Sequence, residues 1–393
     1  MKRKVRIEIL VSLILVIIPP NSSFDVGGFF ICPQTIRMYN FNMFDLSKYN
    51  YELPKELIAQ KPADPRDSSR LFIYNTENNE IIFDNFVNLD KYLPKNSFLV
   101  FNNTRVLPAR VVLKKPTGGK VELLLFVNEL TTGDVIIKGL SDRKIEVGQR
   151  LSFPGGEILE IVDQKEKFFF FKPEFDIKIL SDLLFKYGVT PIPKYIGKTV
   201  LDEKELREKY QSVFAEKPAS VAAPTASLHF TDRVLEKIKQ KGIDSAFITL
   251  NVGLGTFSPL TEENLERKKL HEEYMEIGKE TAERIRQSHI GGKKIIPVGT
   301  TAVRTIESAS KEITDGVKED IKRKTDIFIF PPYDFNLTDG IITNFHLPES
   351  SLMCLVDAFL DFKGAKRNIT ELYEIAKKEK FRFYSFGDAM LVI

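Results

Sequence analysis

The sequence predicts an α/β protein, an α/β/α layered sandwich domain with an inserted small antiparallel β-barrel. Three observations predict it. The chain has 393 residues, 43% of them hydrophobic, which is enough to bury two cores rather than one. From Leu71 to Lys172 short β-rich runs are broken by turn residues, with no helical period between them, as in a small barrel. Downstream, helical and strand patterns alternate, as in a layered α/β domain.

The N-terminus stands apart. "MKRKVRIEILVSLILVIIPP" joins a basic start to an apolar run from Ile9 to Ile18, the outline of a signal peptide. The run is too short to span a bilayer, and no alanine-type cleavage site follows. The preferred reading starts the protein at Met43, with residues 1–42 a non-native or dispensable extension. Residues 43–70 and 173–393 are then assigned to the α/β catalytic domain and 71–172 to the barrel.

Barrel strands are expected in "FLVFNNTRV", "ARVVLKK", "KVELLLFV", "DVIIKGL", "RLSF" and "EILEIVDQKEKFFFF". The second domain reads as a helix "DRVLEKIKQKG" ended by Gly242, a strand "AFITLNV", a helical stretch from Thr261 to Ser288 and a strand "KKIIPV". A helix through "VRTIESASKEI", strands in "TDIFIF" and "GIITNF", and helices in "SSLMCLVDAFL" and "ITELYEIAKKEK" complete it.

Charge and cysteine content exclude several classes. Residues 1–42 hold five Lys/Arg and two Asp/Glu, leaving 52 of each sign in the body. A nucleic acid would therefore be held by local basic clusters, such as "KGAKR" and "KKEKFRF", rather than by a global field. Cys32 and Cys354 are the only cysteines, so there is no disulfide framework, thiolate zinc site or iron–sulfur motif. A cytoplasmic monomer without metal or membrane contact is expected.

Several motifs could carry chemistry, each with a plainer structural reading. In "SVAAPTASLHFT" small residues, Thr225 among them, would let a flat ligand approach the backbone, and Thr231 would cap a helix with His229 at its mouth. The plainer reading is a packed loop with a hydrogen-bonded core histidine. "NVGLGTFSP" places Gly253 and Gly255 after a strand, but lacks the third glycine of a dinucleotide fingerprint. "VGTTAVRTIES" puts Thr300, Thr301 and Arg304 at a helix start suited to a carboxylate or phosphate, or forms an ordinary cap. "ITNFHLPESSLM" ends a strand at His346, and "HEEYMEI" offers His271, Glu273 and Tyr274 for proton transfer or as a polar helix face. Arg66, Asp67, Arg70, Arg105 and Arg110 could meet phosphates or form surface ion pairs. Gly253, Thr300 and His346 each follow a predicted strand, the edge where open α/β sheets bind ligands.

Taken in order, "YELPKELIAQKPADPRDSSRL", "FNNTRVLPARV", "YQSVFAEKPASVAAPTASLHFT", "TLNVGLGTFSPL", "VGTTAVRTIES", "TDIFIFPPYDFNLTDGIITNFHLPESSLMCLVDAF" and "FRFYSFGDAML" resemble the S-adenosylmethionine:tRNA ribosyltransferase-isomerases of queuosine biosynthesis. The resemblance samples almost all of Met43 to Ile393. Ser227 departs from it, standing where the family has glycine, and "KLHEEYMEI" keeps part of a more histidine-rich pattern, which weakens His271. The resemblance implies transfer and isomerisation of the ribosyl group of S-adenosylmethionine onto 7-aminomethyl-7-deazaguanine at the tRNA wobble position. Epoxyqueuosine forms, and adenine and methionine leave. It implies a barrel and an α/β/α sandwich, a tRNA anticodon stem-loop as partner, and S-adenosylmethionine as co-substrate with no prosthetic group.

On that basis His229 and His346 are candidates for proton transfer, with Glu273 behind them. Thr300, Thr301 and Arg304 would hold the methionine carboxylate or a tRNA phosphate, and Gly253 and Gly255 would admit the ribose. Arg66, Asp67, Arg70, Arg105 and Thr225 are the remaining expected substrate contacts. A methyltransferase or oxidoreductase would instead place an acidic residue after the next strand, which ends in "PVGTT". A non-catalytic RNA-binding protein would have a basic body rather than a neutral one.

Overall fold

Strand Ser97–Asn102 reads SFLVFN and is buried at every position, so neither of its faces meets water. The computed structural model describes residues 45–130, 135–196, 199–253 and 260–393, and this strand lies near the middle of its layered part. The N-terminal extension and Gly255 lie outside the described residues.

The strand belongs to a five-stranded sheet ordered Lys294–Pro297, Ser97–Asn102, Asp244–Leu250, Lys269–Ile277, Ile321–Ile327. Both of its neighbours run parallel to it, whereas the outer pairings are antiparallel. A four-stranded sheet ordered Ile341–Asn344, Ala389–Val392, Arg70–Asn75, Glu80–Asn85 joins it through a parallel bridge from Val298 to Ile342.

Side chains alternate across a strand, and here the alternation feeds two cores. Leu99 and Phe101 meet Val234 and Ile238 of helix Asp232–Gln240. Phe98 and Val100 meet Ala282 and Ile285 of helix Lys279–Ile290 and Ile306 of helix Thr300–Ser308. Helices therefore cover both faces, giving the expected three layers. Thr231 caps helix Asp232–Gln240 by accepting the Val234 N–H, and Gly242, at φ +79°, turns the chain away in the left-handed region that glycine tolerates.

The barrel closes from six antiparallel strands, Arg110–Lys114, Lys120–Leu125, Ile137–Ser141, Phe168–Pro173, Ile158–Lys165 and Arg150–Ser152, the last returning to the first at Lys114 and Ser152. Within "FFFF", Phe169 and Phe171 point inward and Phe168 and Phe170 are half-buried. A two-residue strand, Gly188–Val189, adds to Arg110–Lys114 from outside the closed ring.

Three sequence expectations are corrected. Strands Arg70–Asn75, Glu80–Asn85 and Ser97–Asn102 lie at or within the span given to the barrel but pair with the layered sheets. The physical reason is clearest for Ser97–Asn102, because a strand apolar on both faces needs two cores and a small barrel has one interior. The stretch Thr261–Ser288 is not one helix. Helix Glu262–Arg267 stops at Lys268, φ +53°, and strand Lys269–Ile277 follows with Glu273, Met275 and Ile277 inward. Finally, the strand expected in "TDIFIF" is Ile321–Ile327, displaced toward the N-terminus.

Among the described residues no helix is long and apolar enough to cross a membrane. A packing prediction follows from Gly188, where a Cβ would lie 1.8 Å from the Pro108 carbonyl oxygen and 2.6 Å from that of Leu184. Gly188→Ala is expected to cost about 1–3 kcal/mol by overpacking and to lower the thermal unfolding midpoint. Gly119→Ala, whose nearest neighbours would stand at 3.8 and 3.9 Å, should leave it almost unchanged.

Candidate functional site

Four strands end on one side of the layered domain, because Ser97–Asn102, Asp244–Leu250, Lys294–Pro297 and Ile341–Asn344 all run the same way. Asn102 ties three of these ends together. Its Oδ1 accepts the main-chain N–H groups of Leu250 and Thr104, both at 3.1 Å, while its Nδ2 donates to the Leu250 carbonyl at 3.1 Å and to Thr301 Oγ1 at 3.3 Å. The sequence reading missed this residue. The signal was the pair of amides in "FNNT", placed where an apolar strand stops.

A small cavity opens above these ends, lined by residues including Ala223, Thr225, Gly299, Thr300, Thr301 and His346. Its walls are low because "VAAPTA" supplies almost no side chain, and because Gly299 takes φ +89°. The helix Thr300–Ser308 begins there without a side-chain cap. Its first amides therefore adjoin a space, lined by Thr300 and Thr301, suited to an acceptor or an anion.

The two candidate histidines differ in access. His346 lines the cavity. Its Nε2 lies 2.8 Å from Thr343 Oγ1, and its main chain is held on both sides, the N–H donating to Tyr373 Oη at 2.9 Å and the carbonyl accepting from Tyr51 Oη. Among the described residues Nδ1 has no hydrogen bond. Burial pushes the imidazole down to about 3, so it is neutral.

His229 sits behind the cavity wall. Asn344 Nδ2 donates to its Nε2 at 3.1 Å, and its Nδ1 lies 2.8 Å from Ser69 Oγ, so Nδ1 carries the proton. Burial lowers its pKa to about 4, opposed by the nearby Asp388. With both nitrogens occupied, His229 fixes the orientation of Asn344, which does line the cavity.

A wider cleft of about 720 Å³ lies between the barrel and the sheet, with Phe126, Asn128 and Phe168 on one side and Gly253, His271 and Glu273 on the other. Glu273 Oε1 accepts the Gly253 N–H at 2.9 Å, and its Oε2 accepts from Arg304 Nη1. This ion pair is almost fully buried, at 3% and 4% side-chain exposure. Arg304 stands one helical turn beyond Thr300, so the pair links the cleft to the helix that floors the small cavity.

Similarity to known proteins decides the family. A family model described as queuosine biosynthesis protein matches residues 46–392. The chain belongs to the queuosine biosynthesis family. Relatives named S-adenosylmethionine:tRNA ribosyltransferase-isomerase include one from Thermoanaerobacter sp., 44% identical, with the match covering 88% of this chain and 99% of the relative. Another, from Halothermothrix orenii, is 43% identical, covering 88% and 99%. A crystal structure of an S-adenosylmethionine tRNA ribosyltransferase from Thermotoga maritima has 31% identity, covers 88% of this chain and 100% of its own, and has a TM-score of 0.49.

In this family member the other expected contacts lie elsewhere. Arg66 donates to the carbonyls of Glu208 and Gln211. Asp67 is fully buried; burial works against its charge, but hydrogen bonds from Arg233 and Thr231 hold it below the usual carboxylate range. The Arg70 guanidinium lies 3.8 Å over the Phe381 ring, and Arg105 is exposed. None of the four lines either cavity. Thr225, Thr300, Thr301 and His346 do come together, as do Gly253 and Glu273. Among the described residues no group of three or more His, Cys, Asp or Glu is placed to hold a metal ion.

The two buried histidines make stability pH-dependent. Their folded pKa values, about 4 and about 3, lie below the ordinary value of about 6.5. The unfolded chain therefore binds protons that the folded chain refuses. The contribution is complete above pH ~6.5 and is lost as pH falls toward 4, at about 1.4 kcal/mol per unit for each histidine. Thermal unfolding followed from pH 7 to 4.5 should show this slope, and His229→Gln should remove one histidine's share.

Proposed function

We propose that this chain transfers the ribosyl moiety of S-adenosylmethionine to 7-aminomethyl-7-deazaguanine at the tRNA wobble position and isomerises it to the epoxycyclopentanediol of epoxyqueuosine, releasing adenine and methionine. The carrying observation is membership, over residues 46–392, of a family whose relatives bear that activity in their names. The supporting geometry is a strand-end site that combines a neutral histidine and an uncapped helix start, with a buried arginine one turn along that helix. S-adenosylmethionine is the co-substrate and the tRNA anticodon stem-loop the partner, with no prosthetic group or metal. The protein works as a cytoplasmic monomer, and the barrel acts as an inserted domain forming one wall of the cleft.

The chemistry assigns work to these residues. A sulfonium acidifies the hydrogens on the adjacent ribose carbon, so a base must take one of them. Adenine leaves more readily when protonated, and the attacking amine must be uncharged. His346 is at the cavity, neutral and with Nδ1 unoccupied among the described residues, and it serves in proton transfer. His229 positions Asn344, Glu273 positions Arg304, and the start of helix Thr300–Ser308 with Arg304 receives an anionic group of the substrate.

Purified chain, S-adenosylmethionine and tRNA bearing the 7-aminomethyl base should yield free adenine, measured by chromatography, and a matching mass gain on the tRNA. His346→Gln is expected to slow adenine release by ~100-fold, the scale of a lost acid–base group. His229→Gln should slow it less. The reverse order would transfer the proton-transfer role to His229.

RNA binding rests on local cations, not all of which are free. Lys377 donates to the Glu52 carbonyl and pairs with Glu374, both at 2.7 Å, whereas Lys366 and Lys378 are exposed. Reversing the charge of both Lys366 and Lys378 should weaken tRNA binding and reduce its salt dependence by about one unit of slope for each phosphate no longer neutralised. Unchanged affinity and slope in a filter-binding titration would assign the RNA to another face.

A further inference from the structure

Three arginines of this protein meet a carboxylate with one edge of the guanidinium. Arg233 directs Nε and Nη2 to the carboxylate of Asp67, Arg150 to Glu174, and Arg382 to Asp388. The Nε and Nη2 hydrogens point the same way and match the spacing of two carboxylate oxygens. Arg110, Arg267 and Arg286 meet a carboxylate through Nη1 instead, at more exposed positions, and Arg304 does so where it is buried. It pairs with Glu273 through Nη1, and its Nε and Nη2, both buried, have no hydrogen-bond partner among the described residues. The residue is 3% exposed.

A buried donor edge left empty is costly, and more so on a charged group, which argues that the edge is kept for a ligand. Arg304 itself lines neither cavity but lies between them: it stands one turn from the uncapped start of its helix at Thr300 and Thr301, which line the small cavity, and it touches Glu273, which lines the wide cleft.

We propose that the Nε/Nη2 edge of Arg304 binds the α-carboxylate of the methionyl portion of S-adenosylmethionine, with the negative charge of Glu273 beside it balancing the α-ammonium. This rests on the activity proposed above and chooses between its two anions. A phosphodiester is flanked by sugar on both sides and cannot be threaded onto atoms this deeply buried, whereas a terminal carboxylate can. The Arg304–Glu273 pair also offers one charge of each sign, as a zwitterionic amino-acid end requires and a phosphate does not.

The test compares S-adenosylmethionine with its decarboxylated counterpart, which keeps the adenosyl sulfonium and loses only the carboxylate. For the wild-type chain, calorimetric Kd and the KM for adenine release should be about 10- to 100-fold higher for the decarboxylated compound, the fold-change of charge-assisted hydrogen bonds. Arg304→Lys keeps the charge but loses the paired donors. It should raise Kd and KM for S-adenosylmethionine about tenfold, leave those for the decarboxylated compound unchanged, and leave tRNA affinity intact. Equal binding of the two compounds by the wild type, which needs no variant to fold, would overturn the proposal. So would an Arg304→Lys chain weakened toward tRNA instead. A wild type that discriminates between the compounds but releases no adenine would support the carboxylate site and overturn the activity alone.

Discussion

The structure depends on a strand that cannot be solvated. Ser97–Asn102 buries both faces, so helices must cover the sheet on each side, and its parallel neighbours must return by crossovers rather than by tight turns. The strand ends in Asn102, whose amide is satisfied only by drawing Leu250, Thr104 and Thr301 together. Apolar burial along the strand and one polar knot at its tip thus fix where the loops that build the site begin.

The layered domain treats most of its buried charges alike. Glu307 receives the N–H groups of Asn336 and Leu337 at 2.9 and 3.0 Å and the Thr338 hydroxyl at 2.6 Å. Asp388 receives the N–H groups of Arg70 and Arg382 as well as the Arg382 guanidinium. Such carboxylates are structural, each clamping a loop to the sheet through donors that would otherwise be unsatisfied. Against that background the unfilled edge of Arg304 and the unpartnered Oδ1 of Asn344 are departures, and both sit where the parallel strands end.

Much of this was legible in the sequence, and the failures have physical causes. Helix Asp232–Gln240 was readable because its cap, apolar stripe and terminal glycine agree. The convergence of Thr300 and His346 was readable because each follows a strand. Strand Lys269–Ile277 was not, since "KLHEEYMEI" is rich in helix-favouring residues; its sheet pairing on both sides overrides that propensity. Glu273 was named for its chemistry, but its partner is set by tertiary contact, which no spacing reveals. His229 was legible as a histidine at a helix mouth, yet the Ser69 and Asn344 hydrogen bonds that occupy it come from 160 and 115 residues away.

The edge strand Ile321–Ile327 has a bearing on behaviour in a crowded solution. An open sheet presents unpaired backbone at its margins, where another chain could add a strand and begin to aggregate. Here the margin reads IKRKTDI, with Lys322, Arg323 and Lys324 in succession, each paired to an acidic group of its own chain. At the opposite margin, Glu80–Asn85 carries Glu80 and Asp84. Charged side chains at both borders keep water at the unpaired backbone, and a second strand could add only by displacing them, so growth of the sheet from one molecule into the next is disfavoured by the same residues that finish it.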